Sequence, residues 1–277
     1  MNEMSSGDSL PGRLLGPDDP APVVLSNPAG ASSFLLVGDH AGLACPKALG
    51  DLGVAPADWS RHIASDLGSR QLGEALAERL DARFVHQRYS RLVIDCNRDP
   101  VHPEAIAATS DGTPIMGNRN LGARERGLRL AEIHAPYHQA IAAELTRADR
   151  LEPPILVALH SFTPVWQGQA RPWRAGVLHG GGYDRFAHAV LARLTGELSP
   201  VAGDNVIGDN AVGDNQPYRL DATDYTVPLH AIRPGLPYVE LEIRQDELVD
   251  RKGIAAWADR LARVLVAAAA EIRPARG

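Results

Sequence analysis

The sequence contains few cysteines and lacks any long apolar run. Cys45 and Cys96 are the two cysteines among 277 residues, and neither has a CxxC partner. We therefore expect reduced, buried thiols in a cytoplasmic protein. No segment reaches the roughly 18 apolar residues of a membrane span. Residues 1–15 have no basic region followed by an apolar core, so we expect neither a signal peptide nor membrane association.

The sequence also has no long run of closely spaced Lys and Arg residues. The formal net charge is −6, and the charges are spread without long runs of one sign, which argues against a nucleic-acid binder. Hydrophobic residues make up 44% and charged residues 22% of the chain, as in ordinary globular proteins. A chain of 277 residues can form one large α/β domain or two small ones without a disulfide or a structural metal.

Several well-known catalytic motifs are absent from the sequence. There is no HExxH metalloprotease helix, no Walker A loop and no GxGxxG after a strand. The segment His179-Gly180-Gly181-Gly182 is similar to the HGGG oxyanion segment of esterases. That interpretation requires a GxSxG nucleophile elbow, which the chain lacks, so a serine hydrolase is disfavoured.

Short apolar runs alternate with amphipathic stretches after residue 30. Residues 1–30 are rich in Pro, Gly, Ser and Asp and predict a loose arm or an early surface loop, followed by a single domain over 31–277. Continuously apolar runs at Phe34–Val37, Leu92–Ile94 and Ile155–Leu159 are typical of strands buried on both faces. The alternation predicts an α/β fold of three layers, with a mixed, mostly parallel sheet flanked by helices.

Apolar residues at helical spacing predict four helices. One follows a Ser69 N-cap, and a long one over Glu125–Leu145 is interrupted near Pro136. A third contains the apolar face Phe186–Leu194, and the fourth covers Ile254–Ile272.

Polar residues stand where the predicted strands end. Gly38-Asp39-His40 follows the first run, Asp95-Cys96-Asn97-Arg98 the second and His160-Ser161 the third. A fourth segment, Tyr238–Arg244, alternates like a half-buried strand and carries Glu240 and Glu242. Because ligands of open α/β sheets bind beyond the carboxyl ends of the strands, these side chains are expected in one crevice.

The residue types in this crevice suit a zinc hydrolase. A single His after a strand is more often a hydrogen-bonded structural residue, and an Arg there is usually an ion-pair residue. Their co-location favours a catalytic role over these structural ones. Imidazole is a common zinc ligand, and a catalytic zinc keeps three protein ligands and one open position. Glu242 is then a candidate general base, and Arg98 a candidate clamp for a substrate carboxylate.

Two further patterns favour structural roles. His134 and His138 have the i,i+4 spacing of a helical metal pair, but Pro136 lies between them, so we expect a positioning or structural role. Gly-Asp-Asn occurs at 203–205, 208–210 and 213–215. Such repeats can bind calcium, but the closing Glu of an EF-hand is missing, which favours a loop expanded by duplication.

The chain resembles the N-formylglutamate amidohydrolase family from about Phe34 to Glu247. The segments YSRLVIDCNR (89–98) and LHSFTP (159–164) carry the resemblance most specifically. Supporting segments are GDHAG (38–42), HIASDLG (62–68), PYH (136–138), GDNQPY (213–218) and LEIRQD (241–246). The fold implied is that of zinc carboxypeptidases and aspartoacylases, whose Asp-x-Asn-Arg segment is similar to residues 95–98.

The resemblance implies a role for each residue that matches a family segment. His40 and His160 would bind one zinc ion per chain, and Glu242 would be the general base. Arg98 with Asn97 would hold the substrate carboxylate, and Arg91 would assist at the substrate carbonyl. Asn215 and Tyr218, from GDNQPY, would contact the substrate.

The third metal ligand departs from the carboxypeptidase pattern. That pattern is His-x-x-Glu, but Leu43 stands where the Glu would be. We predict Asp66 as the third ligand, with Asp39 and His62 as alternatives; the structural interpretation of Asp66 is a carboxylate at a helix N-terminus. Ligand types alone do not distinguish zinc from cobalt, manganese or iron.

The resemblance implies hydrolysis of a linear amide in a small carboxylated substrate. N-formyl-L-glutamate is the first candidate, and another N-acyl amino acid or a small peptide is the alternative. DHAG replaces the PH-[ST]-G form that is more frequent in formylglutamate hydrolases, so the motif leaves the substrate open. A function of another class, non-catalytic binding of a carboxylated metabolite on the same fold, would account for the missing His-x-x-Glu.

Overall fold

The computed structural model describes residues 12–150, 152–198 and 211–272. In these ranges a seven-stranded sheet lies between helices. The strands are Val23–Ser26 (β1), Phe34–Gly38 (β2), Arg83–Gln87 (β3), Thr109–Ser110 (β4), Thr113–Pro114 (β5), Ile155–Phe162 (β6), Val165–Trp166 (β7), Gln169–Ala170 (β8), Ala175–Leu178 (β9), Val212–Asp214 (β10) and Tyr238–Arg244 (β11). The α-helices are Pro56–Trp59 (α1), Ser69–Leu80 (α2), Ala123–Arg129 (α3), Ala135–Leu145 (α4), Arg185–Leu198 (α5) and Arg251–Ile272 (α6).

The large sheet is mixed and mostly parallel, as predicted. Its strand order is β1-β3-β2-β6-β11-β9-β10. The pairs β3–β2, β2–β6, β6–β11 and β9–β10 are parallel, whereas β1–β3 and β11–β9 are antiparallel. The hairpins β4–β5 and β7–β8 lie outside this sheet.

Successive residues of the central strands face opposite cores. Leu36 and Val157 pack into a cluster with residues of α2, α5 and α6. Leu35 and Leu156 face the other way, toward Tyr137 of α4. Because side chains alternate along a strand and both faces are covered, β2 and β6 are apolar throughout. This confirms the predicted strands at 34–37 and 155–159 and the layered α/β class.

The N-terminal region differs from the predicted arm. Val23–Ser26 pairs with β3 at the edge of the sheet, inside the segment expected to be a loose arm or surface loop. Leu14 is buried, and the backbone N–H groups of Leu14 and Leu15 donate to the Glu132 carboxylate. The pairing satisfies backbone groups on the outer side of β3, which would otherwise be the edge strand. This tertiary contact cannot be read from the Pro- and Gly-rich composition.

The apolar run Leu92–Ile94 is not a strand, and that prediction was wrong. Ser90 makes a turn here: its hydroxyl accepts from the Leu92 N–H and its carbonyl from the Val93 N–H. Leu92, Val93 and Ile94 pack into a separate cluster with loop residues. A short buried apolar run has the same sequence pattern whether a strand or a buried turn carries it.

The predicted helices are present with small changes. Gly68, with φ of +82°, is the N-cap of α2, so Ser69 is the first helical residue. A π-helical turn at Leu130–His134 joins α3 to α4 ahead of Pro136. A second π turn lies at Pro228–Ile232, and 3₁₀ turns occupy Lys47–Leu49, Pro103–Ile106, Met116–Asn118 and Gln245–Leu248.

Two remaining expectations concern the membrane and the Gly-Asp-Asn repeat. Within the three described ranges, no helix has the length and apolarity needed to cross a membrane. The first two repeat copies, at 203–205 and 208–210, lie outside the described residues. In the third copy, Gly213 and Asp214 belong to β10.

Candidate active site

Three neighbouring strands and one loop deliver the central side chains of the site. His40 follows the carboxyl end of β2, and His160 lies near the end of the adjacent strand β6. Glu242 of β11 is directly opposite His160 in the parallel register. Asp66 comes from the loop before α2, and its backbone N–H donates to the His40 carbonyl at 3.0 Å.

Asp66 lies between the two imidazole rings. Its Oδ2 is 2.9 Å from His160 Nδ1 and 3.5 Å from His40 Nδ1. One ligand atom from each of the three residues lies within 4.8 Å of the others. Ligand atoms around a tetrahedral zinc ion, with bonds of about 2.1 Å, are about 3.4 Å apart. The spacing of these side chains therefore suits a small divalent cation.

The opposite nitrogen of each ring meets another carboxylate. His40 Nε2 lies 2.7 Å from Asp95 Oδ1, and His160 Nε2 lies 3.2 Å from Asp39 Oδ2. Asp39 Oδ1 in turn accepts from the Thr226 hydroxyl at 2.6 Å. Asp39, one alternative for the third ligand, thus stands behind a ring. Carboxylates in this position orient metal-binding imidazoles and raise their basicity.

The donor set fits a metal ion. His40 Nδ1 is buried and has no hydrogen-bond partner, which would be costly unless a cation receives its lone pair. Burial lowers the pKa of His160, whereas Asp39 and Asp66 raise it well above its usual value. Burial raises the pKa of Asp66, but His40 and His160 hold it below its usual value. The pocket thus favours positive charge beside an ionised Asp66.

His62, the other alternative ligand, borders the cavity without joining the trio. Its Nε2 lies 3.5 Å from Asp111 Oδ2, on the β4–β5 hairpin. Burial lowers the pKa of His62.

Arg91 is tied to the carboxylates of the site. Its Nη2 donates to Asp95 Oδ2 at 2.7 Å, and its Nη1 to Asp66 Oδ1 at 3.4 Å. Burial lowers the pKa of Arg91, but Asp95 and Asp66 more than offset this and raise it. The guanidinium therefore links the carboxylate between the rings to the one behind His40.

Glu240 and Glu242 lie on the same face of β11. They are two residues apart, and both are buried in the cavity wall. Burial raises the pKa of each carboxyl to about 8. Glu240 Oε1 is 3.9 Å from His160 Nε2, the ring nitrogen turned away from Asp66. Glu240 is thus behind the ring, which leaves Glu242 as the candidate for proton transfer. The predicted half-buried strand is buried on both faces, because Val239, Leu241 and Ile243 pack into one core and Tyr238 packs into the opposite one.

The residues surround a cavity of about 250 Å³. Most of the predicted site residues line it. These are His40, Asp66, Arg91, Asn97, Arg98, His160, Tyr218 and Glu242. Its wall also contains residues to which the sequence assigned no role, among them Thr163, Leu178, Arg219, Asp221, Thr223, Asp224 and Glu240.

Asn97 and Arg98 already have protein partners. Asn97 Oδ1 accepts from the backbone N–H groups of Tyr225 and Thr226, and its Nδ2 donates to Asp224 Oδ1 at 3.2 Å. Arg98 Nη1 donates to the same Asp224 oxygen at 3.2 Å. Burial raises the pKa of Asp224. The predicted carboxylate clamp is therefore a packed cluster that includes an acidic residue.

Tyr218 and Asn215 take different positions. Tyr218 borders the cavity, and its hydroxyl accepts from Arg171 Nη1 at 3.0 Å. Asn215 is not among the cavity-lining residues; its Oδ1 accepts from the His179 backbone N–H at 3.0 Å. Asn215 thus joins the ends of β9 and β10, which supports the wall of the cavity indirectly.

His134 and His138 support the loop that contains Cys96 and Arg98. A ring nitrogen of His134 donates to the Arg98 carbonyl at 3.1 Å, and one of His138 donates to the Cys96 carbonyl at 2.9 Å. His138 also lies 3.0 Å from a nitrogen of His230. These bonds fit the expected positioning role. Both cysteines are free; Cys96 is buried as predicted, whereas Cys45 is only half-buried.

Sequence reasoning missed the supporting acids Asp95, Asp224 and Glu240. A signal existed for two of them: Asp95 opens the Asp-x-Asn-Arg segment, and Glu240 has the same strand parity as Glu242. Asp224 carries no motif, since its contact with Arg98 spans more than a hundred residues of chain.

Comparisons with known proteins show which family the chain resembles. A model of the N-formylglutamate amidohydrolase family matches residues 32–249. Gene product Atu2144 from Agrobacterium tumefaciens has a similar structure, with 34% identity, a TM-score of 0.84 and coverage of 94% of this chain and 99% of that one. A comparison with curated proteins found no match.

An N-formylglutamate amidohydrolase from Ralstonia eutropha JMP134 shares the fold. Its TM-score is 0.65 at 18% identity, with coverage of 90% of this chain and 98% of that one. The family match covers well over half of the chain and confirms the resemblance seen in its motifs. The chain belongs to the N-formylglutamate amidohydrolase family.

Proposed function

We propose that this amidohydrolase is zinc-dependent and cleaves the acyl–nitrogen bond of a small N-acyl amino acid, with N-formyl-L-glutamate as the first candidate. One observation carries the proposal: His40 Nδ1 and His160 Nδ1 both lie close to Asp66 Oδ2, at 3.5 and 2.9 Å. Glu242 lines the same cavity. A cavity of about 250 Å³ favours a small substrate over a folded polypeptide.

His40, Asp66 and His160 would hold the ion. When bound, zinc supplies Lewis acidity, which polarises an acyl carbonyl and lowers the pKa of water so that a nucleophilic hydroxide is available near neutral pH. Asp95 and Asp39 keep the rings in place, and Arg91 restrains Asp66 through its 3.4 Å contact. This support keeps the geometry fixed while the substrate reacts.

Glu242 is the proposed general base and acid. Its buried carboxyl, with a pKa raised to about 8, can accept a proton from the attacking water. The carboxyl can then deliver that proton to the leaving nitrogen, since its pKa favours holding a proton between the two steps. Positive charge bound at Asp66 would favour the ionised form of Glu242 before the reaction begins.

Arg98 and Asn97 are proposed to orient the substrate carboxylate. Within the described residues, the hydrogen bonds of the Arg98 guanidinium all use Nη1, and its Nε lies 4.0 Å from the exposed Glu104 carboxylate. A planar guanidinium can bind Asp224 along one edge and a substrate carboxylate along another. Tyr218, at the cavity rim, is proposed to contact the acyl amino acid, and Asn215 supports that rim.

The experiment combines zinc analysis with kinetics. Purified protein is expected to carry about one zinc ion per chain. The variant His160→Ala should lose that ion and all turnover of N-formyl-L-glutamate. His102→Ala removes a half-buried histidine outside the cavity and should keep both.

A panel of N-acyl amino acids then tests the substrate. N-formyl, N-acetyl and short peptide derivatives of acidic and neutral amino acids are compared by kcat/KM. Full activity in the His160→Ala variant would rule out the mechanism. Tight binding of panel members without cleavage of any would instead favour a metabolite-binding protein.

A further inference from the structure

A second group of imidazole and carboxylate side chains lies outside the catalytic cavity. His179 directly follows β9, and Asp214 ends the neighbouring parallel strand β10. Asp184 and His188 are one helical turn apart at the start of α5, where the backbone N–H of His188 donates to the backbone carbonyl of Asp184. Two parallel strand ends and one helix start therefore bring four ligand-type side chains together.

The distances within this group resemble those of the catalytic trio. One ligand atom each from His179, Asp184 and His188 lies within 4.8 Å of the others. The two rings have centroids 4.2 Å apart, and His188 Nε2 is 3.7 Å from Asp184 Oδ2. Ligand atoms of a tetrahedral ion are about 3.4 Å apart, so small side-chain rotations would bring all three into range.

Asp214 occupies a supporting position. Its Oδ1 is 2.7 Å from His179 Nε2. This matches the arrangement of Asp95 behind His40, in which a carboxylate holds a ligand ring. The side chains of His188 and Asp214 are 54% and 64% exposed, so an ion can reach the group directly from solvent.

We propose that His179, Asp184 and His188 form a second site for a divalent transition-metal ion, with Asp214 orienting His179. Two imidazoles with one carboxylate suit zinc, copper or nickel better than magnesium or calcium, which prefer oxygen ligands. The site is solvent-exposed, so it binds more weakly than the buried trio and fills only when metal is added.

Occupancy of this site would stabilise one wall of the cavity. Leu178, which lines the cavity, precedes His179, and Asn215 follows Asp214 and bonds to the His179 backbone. An ion held by His179 and α5 would tie the end of β9 to the start of that helix. Ligands that bind the folded state alone raise the melting temperature by mass action.

The test uses the full chain stripped with a chelator and titrated with zinc by isothermal calorimetry. The wild type should show two binding events per chain, a tight one and a weaker one. His160→Ala should lose the tight event and keep the weak one. His188→Ala should lose the weak event while retaining the tight one and full amidase turnover, and His102→Ala should keep both.

His188 is exposed on the surface of α5, and alanine is a strong helix former, so this variant is expected to fold. The melting temperature gives an independent readout, because excess zinc should raise it further in the wild type than in His188→Ala. The proposal fails if His188→Ala takes up as much zinc as the wild type. It also fails if a folded His160→Ala takes up none. Neither result depends on the identity of the amide substrate.

Discussion

Asp95 and His40 are joined by a 2.7 Å contact between Oδ1 and Nε2, and both side chains are almost fully buried. The same Asp95 oxygen accepts from the Asn97 N–H, and the other carboxylate oxygen pairs with Arg91. One carboxylate thus orients the His40 ring of the proposed metal site, starts the turn that presents Arg98, and neutralises Arg91.

The Asp95→Asn substitution should weaken zinc binding. The neutral amide cannot polarise the His40 ring as a carboxylate does, and its NH₂ group would face Arg91 or His40. Loss of such a supporting carboxylate typically lowers metal affinity by about 10- to 100-fold. Competition with a chromophoric chelator measures the change.

Asp224→Asn serves as the matched control for Asp95→Asn. Asp224 bonds to Asn97 and Arg98 and to neither imidazole ring. The zinc affinity of the Asp224→Asn variant should stay at the wild-type value, whereas its KM for a carboxylated substrate should rise. Equal zinc affinity in Asp95→Asn and the wild type would contradict the role given to Asp95.

The two glutamates of β11 should behave differently. Glu242→Gln is expected to lower kcat by about 10²- to 10⁴-fold while zinc content stays unchanged, because it removes the proton carrier and no ligand. Glu240 lies behind the His160 ring, so the Glu240→Gln variant should retain most of the turnover. Kinetics with zinc analysis on both variants decide the assignment, and a larger loss in Glu240→Gln would reverse it.

Gly42 should tolerate no side chain. A Cβ at this position would lie 2.0 Å from the Arg88 carbonyl oxygen, where the loop after His40 passes β3. Forcing such an overlap typically costs about 1–3 kcal/mol or more, so Gly42→Ala should lower the urea midpoint and the zinc affinity. Both are measured on the same preparation.

Gly127 offers the control for Gly42. It lies in α3, and a Cβ added there would meet no atom within 4 Å. Gly127→Ala should therefore stabilise the helix by about 0.5–1 kcal/mol. If Gly42→Ala unfolds at the same urea concentration as the wild type, the close approach has no energetic consequence.

In the metal-free protein, two buried histidines should contribute stability that is lost as the pH falls from about 6.5 to 4. Burial lowers the pKa of His86 to about 4 and that of His230 to about 4. An unfolded histidine has a pKa near 6.5, so in this range the unfolded state binds more protons and protonation favours unfolding. The contribution of these two histidines is therefore fully present above pH 6.5 and declines toward pH 4, whereas Glu240 and Glu242, with their raised pKa values, contribute in the opposite direction.

The His86→Gln substitution tests the contribution of one of these groups. Glutamine does not titrate, so the slope of unfolding free energy against pH should fall by up to about 1.4 kcal/mol per pH unit between pH 6.5 and 4. Urea denaturation at a series of pH values measures the slope. An unchanged slope would show that His86 titrates alike in the folded and unfolded protein.

Local pattern predicted the main elements well. The runs at 34–37 and 155–159 are strands, and the helices with a strong apolar face are present. The run at 92–94 has the same composition, but it packs among loop residues rather than between two layers. Burial alone makes a segment apolar, and only its hydrogen-bond partners decide whether it is a strand.

Periodicity and motifs, which are local in the chain, were enough to predict the α/β class, the family and eight of the side chains that line the cavity. The packing of the layers places Asp66, one of the three candidates for the third ligand, between the rings of His40 and His160. It also pairs Asp224 with Arg98 and adds β1 to the edge of the sheet. These relationships join segments separated by many residues, and they depend on how the layers pack. No local pattern records a distance of 2.9 Å between Asp66 and His160, since ninety-four positions separate them along the chain.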